Sequence, residues 1–126
     1  MTLTPAREDY LVIIYLLTQT QATVRAVDVA KALGHAKPTV SQSLRLLKAN
    51  GLVASDSGQA LYLTPQGTAK AQKIYSRYQT TAAFLAHILQ VSPATACQDA
   101  CQIEHLLSNE TQQKMQTYLL QRFPQA

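Results

Sequence analysis

The first twenty residues carry a pattern of apolar and polar positions that predicts a buried helix. From Tyr10 to Leu17 the residues are apolar on nearly every side of a helix, as in an element with little exposure to solvent. Thr4 can cap the beginning of this helix, and Pro5 suits the first helical position. The acidic pair at residues 8–9 lies near the positive end of the helix dipole. We therefore expect a first helix that the rest of the fold largely covers.

The following thirty residues predict two short helices joined by a tight turn. Apolar residues recur at every third position along the first of these helices, and Gly34 ends it. Pro38 begins the second, which reaches about Asn50 and has polar and basic residues outside an inner apolar stripe. The recurring positions are Val24, Val27, Ala30 and Leu33, and the inner stripe is Val40, Leu44 and Leu47. Two short helices around a glycine-bearing turn are typical of a helix-turn-helix.

Two short strands are predicted directly after the helix-turn-helix. Residues 52–54 and 60–63 are rich in Leu, Val and Tyr, whereas the intervening residues 55–58, Ser-Asp-Ser-Gly, favour a turn. Together these segments predict a β-hairpin. Because a hairpin in this position is the wing of a winged helix, the first half of the chain is predicted to have that fold.

Helical patterns fill the rest of the chain. A long helix from about residue 66 to residue 89 is followed by a break, a helix over residues 94–107, and a last helix that is apolar on one side. We therefore expect a mainly α fold in two parts. Residues 1–65 would form a winged helix-turn-helix DNA-binding domain, and residues 66–126 a helical dimerisation and metal-binding domain.

Charge is distributed unevenly between the two halves. Residues 1–77 hold nine Lys/Arg and four Asp/Glu, a net charge of +5, whereas residues 78–126 hold two and three, a net charge of −1. A basic first half suggests a nucleic-acid partner. No apolar run reaches the roughly 20 residues of a membrane span, and no signal peptide is evident, so we expect a soluble cytoplasmic protein without a membrane partner.

The outer face of the second helix of the helix-turn-helix suits the major groove of DNA. Gln42 can pair with adenine through two hydrogen bonds, and Pro38 can contact a thymine methyl group. Short hydroxyl and basic side chains at the leading end suit phosphates. A merely solvated helix face would have a similar composition, but the predicted hairpin favours DNA recognition. The candidate DNA-binding residues are Arg25, Lys37, Pro38, Thr39, Ser41, Gln42, Ser43 and Arg45.

Three residues of metal-ligand type share one face of the predicted helix over residues 94–107. Cys101, Glu104 and His105 are spaced so that a helix would point them the same way. A thiolate, a carboxylate and an imidazole form a transition-metal ligand set. Asp9 is the best candidate for a further ligand. The structural alternative is that the cysteine is a small buried apolar residue and the histidine a satisfied core residue.

The two cysteines allow a second interpretation. Cys97 and Cys101 lie four residues apart, and thiol or metal chemistry is a better expectation for them than a disulfide framework. A metal-independent winged-helix regulator could use them as a redox switch, provided that the helix distorts. A metal- or thiol-dependent enzyme is disfavoured, because the chain has no paired general base, nucleophile elbow or Gly-rich phosphate loop, and we expect no small-molecule substrate.

Several segments resemble the diphtheria-toxin repressor and manganese-transport regulator family of metal-dependent bacterial repressors. Residues 37–43, Lys-Pro-Thr-Val-Ser-Gln-Ser, and residues 50–53, Asn-Gly-Leu-Val, resemble its recognition helix and the segment that follows. Residues 99–108 resemble its metal-binding helix, and residues 8–11 its first-helix motif. The resemblance covers nearly the whole chain, and the length matches the short two-domain members.

This resemblance implies a homodimer that represses metal-homeostasis genes by binding double-stranded operator DNA. It implies a primary metal site of Asp9, Cys101, Glu104 and His105, with Cys97 as a possible additional ligand. The expected ion is Fe(II) or Mn(II), with Zn(II) or Co(II) as alternatives in vitro. A thiolate favours the softer ions, whereas the carboxylates favour Mn(II).

The chain departs from the family at its second metal position. Tyr78 and Cys97 each stand where family members carry a histidine, and Ala82 and Val12 each replace a carboxylate. We therefore expect either one metal per subunit or a different second site, built from Cys97 with or without His87.

Overall fold

A computed structural model describes residues 3–124. Within this range the chain forms six helices and two strands, and the mainly α prediction is confirmed. The elements are α1 (Pro5–Thr20), α2 (Ala26–Leu33), α3 (Lys37–Ala49), β1 (Val53–Ser55), β2 (Leu61–Leu63), α4 (Pro65–His87), α5 (Pro93–Ile103) and α6 (Asn109–Arg122). They divide into two compact units, one ending at Ile74 and the other beginning at Tyr75, so the division falls inside α4.

Helix α1 begins where the sequence predicts and provides the centre of the first unit. The Thr4 hydroxyl accepts a hydrogen bond from the backbone N–H of Arg7 at 3.3 Å and so caps the helix. Tyr10, Leu11 and Ile14 are buried, while their apolar neighbours in the helix are half-buried. The first unit therefore packs its apolar core around α1.

Helices α2 and α3 form the predicted helix-turn-helix, but α2 is rotated relative to the expectation. Gly34 adopts a left-handed conformation (φ +68°) and ends α2, and the apolar stripe of α3 is buried as predicted. Val29 faces the core with no exposure, whereas Val27, one of the residues that recur at every third position, is 44% exposed. Residues two apart differ by about 200° around a helix, and burying Val29 therefore turns Val27 outward.

The predicted wing is present as an antiparallel pair in which Val53 stands opposite Leu63 and Ser55 opposite Leu61. At the tip, the Asp56 carboxylate accepts hydrogen bonds from the backbone N–H groups of Gly58 and Ala60, both at 2.9 Å. These bonds satisfy backbone donors in the turn, as expected of an Asp at this position.

The second unit combines the end of α4 with α5 and α6. Ser92 and Ser108 cap the last two helices by accepting hydrogen bonds from backbone N–H groups three residues ahead. The Gln112 amide donates to the Thr81 hydroxyl at 2.9 Å, and both residues are buried. Part of the interior of this unit is therefore polar and hydrogen-bonded, which avoids the cost of burying unpaired polar groups.

Helix α5 is shorter than the predicted helix over residues 94–107. It ends at Ile103, with Glu104 as its C-terminal cap, and the residues up to the α6 cap form a turn. A side chain from α4 hydrogen-bonds this turn. Arg77 donates hydrogen bonds to the backbone carbonyls of Glu104 and Leu107, groups that a continuing helix would have used itself.

Candidate functional site

The outward face of α3 lies beside the wing and forms an electropositive cleft. Of the eight candidate DNA-binding residues, Ser43 is half-buried and the other seven are exposed. Among the described residues, those that line the cleft include four cations and no carboxylate. The cations are Arg25, Lys37, Arg45 and Lys48. A concave surface with this charge attracts a polyanion, because the low-dielectric walls focus the field of the cations.

Two polar residues that line the cleft are absent from the predicted set. Lys48 lies three positions after Arg45, and helical periodicity places it on the outer face of α3. Gln59 has a positive φ of 63° in the wing turn and joins the cleft only because the hairpin folds toward α3. No local sequence pattern signals that approach.

Arg25 has a different environment from the other cations. Its Nη1 donates a hydrogen bond to the carbonyl oxygen of Gly58 at 2.7 Å, and its backbone N–H donates to the Asp28 carboxylate at 2.8 Å. The neighbouring Val24 carbonyl accepts a hydrogen bond from the N–H of Leu61 at 2.7 Å. The segment that precedes α2 therefore holds the wing in place, and Arg25 bonds the wing tip.

Replacing Arg25 by Gln should loosen the wing more than it removes a phosphate contact. We expect faster amide hydrogen exchange at Gly58–Ala60 and a few-fold loss of DNA affinity, with a nearly unchanged dependence of affinity on salt. Lys37→Gln is the matched comparison, since loss of one phosphate contact lowers the salt slope by about 1. An equal fall in the salt slope for both variants would show that Arg25 contacts phosphate instead.

The second unit places a carboxylate and an imidazole side by side in its interior. Oε1 of Glu104 lies 3.0 Å from Nδ1 of His105, and the two side chains are only 4% and 5% exposed. Nε of Arg77 lies 3.7 Å from the other carboxylate oxygen of Glu104. A buried carboxylate needs a cationic partner, and carboxylate oxygen with imidazole nitrogen suits a divalent transition metal. The donor set therefore fits the metal that the sequence predicts.

The other predicted ligands, Cys97, Cys101 and Asp9, are more exposed than Glu104. Both thiols, those of Cys97 and Cys101, are exposed on α5, so Cys101 does not share the buried environment of Glu104. Asp9 lies in the first unit and is half-buried on α1. Glu104 is the C-terminal cap of α5 and keeps a helical backbone conformation (φ −61°, ψ −29°), so helical spacing from Cys101 extends to Glu104, whereas His105 lies in the turn that follows.

Tyr78 and Cys97, which stand where the resemblance implies histidines of a second metal site, are in contact with each other. A hydrogen bond with Cys97, together with burial, raises the pKa of Tyr78 to about 12. His87 lies with its ring centre 5.2 Å from that of Phe123. The described contact of His87 is therefore with an aromatic ring.

Comparison with known proteins identifies both halves of the chain. Residues 2–61 match the family model described as the N-terminal DNA-binding domain of iron-dependent repressors. Residues 64–124 match the model for the metal-binding and dimerisation domain of the same repressors. These matches define the class as winged-helix repressors with a helical metal-binding domain. The chain belongs to the iron-dependent repressor family, in which MntR and the diphtheria toxin repressor are its relatives, and the predicted resemblance is confirmed.

Individual relatives give the extent of the similarity. The transcriptional regulator MntR of Escherichia coli is 36% identical over 104 residues, which are 82% of this chain and 66% of that protein. MntR of Listeria monocytogenes is 31% identical over 83% of this chain and 73% of that protein. A solved manganese-dependent transcriptional repressor in complex with manganese is 28% identical, with a TM-score of 0.82 over 90% of this chain and 52% of its own. The chain thus spans about two thirds of the E. coli relative and half of that structure.

Among residues 3–124, none of the helices combines the length and the apolar content that crossing a bilayer requires.

Proposed function

We propose that the protein is a metal-dependent transcriptional repressor of metal-homeostasis genes, which binds double-stranded operator DNA as a homodimer when Fe(II) or Mn(II) is present. The buried Glu104–His105 pair carries this proposal, because it adds a metal-ligand set to a chain whose winged helix already suits DNA. The family match and the similarity to MntR support it. An exclusively regulatory role, rather than an enzymatic one, is part of the proposal.

On the DNA side, α3 supplies the groups that enter the major groove. Gln42 is exposed on this helix and can form two hydrogen bonds with an adenine edge. Lys37, Arg45 and Lys48 around it provide positive charge for phosphates. Phosphate contacts bring the helix to the DNA, and the base contacts select the sequence.

Replacing Gln42 by Ala should cost about 1–3 kcal/mol of operator affinity, the value of one bidentate base contact. The loss should depend on the base pair that Gln42 contacts, so the variant discriminates less at that position. Fluorescence-anisotropy titration of operators with single base-pair changes measures this. Gln113→Ala, at an exposed position on α6, is the control and should bind as the wild type does. Equal affinity losses on every operator variant would contradict base recognition by Gln42.

On the metal side, Glu104 and His105 are the proposed core ligands, with Asp9 and Cys101 as further ligands and Cys97 as a possible one. A bound divalent ion would supply a concentrated positive charge that these residues share. Asp9 matters most for the coupling to DNA, because it lies on α1, which packs against α2 and α3. Its neighbour Tyr10 hydrogen-bonds Nδ1 of His35, in the turn before α3, at 2.5 Å. Holding Asp9 therefore restrains the helix that supports the DNA-recognition helix.

Exposed apolar side chains in the second unit support the proposed homodimer. Ile103, Leu106, Tyr118, Leu120 and Phe123 are all at least 36% exposed. Exposed apolar side chains of this size favour association with another protein where they form one contiguous patch. Sedimentation equilibrium measures the assembly directly.

The test of the proposed function is the metal dependence of DNA binding. A candidate promoter duplex is titrated by fluorescence anisotropy, first with chelator and then with Fe(II) under anaerobic conditions, Mn(II), Zn(II) or Co(II). We expect affinity to rise by about 100-fold with the effective ion, near the upper end of common allosteric couplings. Equal affinity with and without metal would contradict the proposal.

The thiol-switch alternative predicts a different result in the same assay. In that case DNA binding would respond to oxidation and reduction, and Cys97→Ala would remove the response. We expect instead that Cys97→Ala keeps most of the metal response under reducing conditions.

A further inference from the structure

We infer that Arg77 is a positioning residue for the metal-ligand turn, defined here as residues 104–108 between α5 and α6. The inference rests on the proposed function, since it assigns Glu104 and His105 to metal binding. Arg77 lies on α4, outside every predicted ligand set, and its position in the sequence gives no indication of this role. The evidence is the number and direction of its contacts within the second unit.

The guanidinium group of Arg77 bonds the metal-ligand turn at both ends. Nη2 donates to the carbonyl oxygen of Glu104 at 3.1 Å and to that of Leu107 at 2.7 Å. Nη1 donates to the side-chain oxygen of Asn109, the first residue of α6, at 2.7 Å. These hydrogen bonds connect the end of α5 and the start of α6 to one rigid group. The conformation of the turn therefore depends on a single side chain of α4.

Arg77 also acts on the proposed ligand itself. Its Nε lies 3.7 Å from Oε2 of Glu104, while Oε1 of the same carboxylate is 3.0 Å from the His105 ring. The guanidinium thus sits at one oxygen and leaves the other directed toward the imidazole. Partners that orient a metal ligand in this way affect ion affinity although they do not touch the ion.

The shape of the guanidinium matters as well as its charge. Arginine presents several N–H donors in a fixed plane, whereas the lysine ammonium is a compact charge on a flexible stem. Lysine at position 77 would keep the positive charge near Glu104 but could not reproduce hydrogen bonds to three separate acceptors. The two contributions of Arg77 can therefore be separated by substitution.

Charge alone and positioning predict opposite effects on ion affinity. If Arg77 acted only as a positive charge near the site, its removal would lower the repulsion of a divalent cation, and the ion would bind more tightly. If Arg77 positions the turn, both Arg77→Lys and Arg77→Gln release the Glu104 and Leu107 carbonyls, and the ion binds more weakly in both variants. The sign of the change for Arg77→Gln distinguishes the two.

The experiment compares Arg77→Lys, Arg77→Gln and the control Lys114→Gln, which removes an exposed charge on α6. Co(II) binding is followed by its d–d absorption and Mn(II) binding by calorimetry, both on the full chain. We expect roughly 10–100-fold weaker binding and an altered Co(II) spectrum in both Arg77 variants, and no change in the control. Hydrogen exchange of the metal-free proteins should show faster exchange at residues 104–109 in the Arg77 variants alone, with the first unit unchanged.

The possible failures are distinguishable. If the wild type binds no metal, the proposed function fails and the role of Arg77 in metal binding falls with it. If the wild type binds metal and Arg77→Lys retains its affinity and spectrum, only the positioning role is overturned. Tighter binding by Arg77→Gln would overturn it in favour of a charge effect. If circular dichroism shows that Arg77→Gln is unfolded, the comparison between the wild type and Arg77→Lys, the milder change, decides the positioning role.

Discussion

The variant His105→Ala should lose metal-dependent DNA binding while keeping the weak affinity of the metal-free protein. The imidazole of His105 is nearly buried beside the Glu104 carboxylate, and its removal takes away the proposed nitrogen ligand. We expect the metal-induced rise in operator affinity, about 100-fold in the wild type, to fall to nearly nothing. Anisotropy titrations with chelator and with the effective ion measure the rise for both proteins. By linkage, operator DNA should no longer tighten ion binding.

Two comparisons decide whether that loss arises at the metal site. His87→Ala removes a histidine that lies against Phe123 in the same unit, and it should keep the wild-type response. Asp9→Asn should behave as His105→Ala does, if α1 supplies a ligand as proposed. Since Glu8 is the adjacent carboxylate, Glu8→Gln shows which of the two acidic residues is used. A full metal response in His105→Ala would contradict the proposed site.

Gly67→Ala should severely destabilise the first unit. A Cβ atom at this position would lie 1.9 Å from the carbonyl oxygen of Leu52 and 2.9 Å from its carbonyl carbon. The obstructing atoms are backbone, so no side-chain rotation relieves the clash. The same carbonyl accepts a hydrogen bond from the N–H of Thr64 at 3.1 Å, at the junction between the wing and α4. We expect a loss of about 3 kcal/mol or more in the free energy of unfolding.

Thermal unfolding followed by circular dichroism measures this effect as a fall of more than about 10 °C in Tm. Gly58→Ala is the matched control, because its Cβ would meet only the flexible Asp56 carboxylate, at an ordinary distance of 3.5 Å. That variant should unfold within about 0.5 kcal/mol of the wild type. Equal stability of the two alanine variants would show that the wing junction shifts without cost.

The second unit shows where interpretation of the sequence reaches its limit. Glu104 and His105 were identified from residue type, and they lie together in the interior. The predicted common helix face with Cys101 extends only to Glu104, the C-terminal cap of α5, and His105 lies in the turn that follows. The turn after α5 is hydrogen-bonded by Arg77, which is 27 residues from Glu104 along the chain. The periodicity of apolar residues along the chain cannot predict a hydrogen bond between residues so far apart in sequence.

The sequence by itself determined the helices, their caps, the wing and the residue types available for DNA and metal. These features depend on neighbours within one or two turns, for which side-chain spacing and capping chemistry are sufficient causes. Only the tertiary structure decided that Val29 rather than Val27 is buried, that Arg25 bonds the wing, and that Arg77 bonds the metal-ligand turn. Each of these depends on which surfaces pack together. The free energy of such contacts depends on pairs of segments that are distant in sequence, so a local sequence pattern cannot predict it.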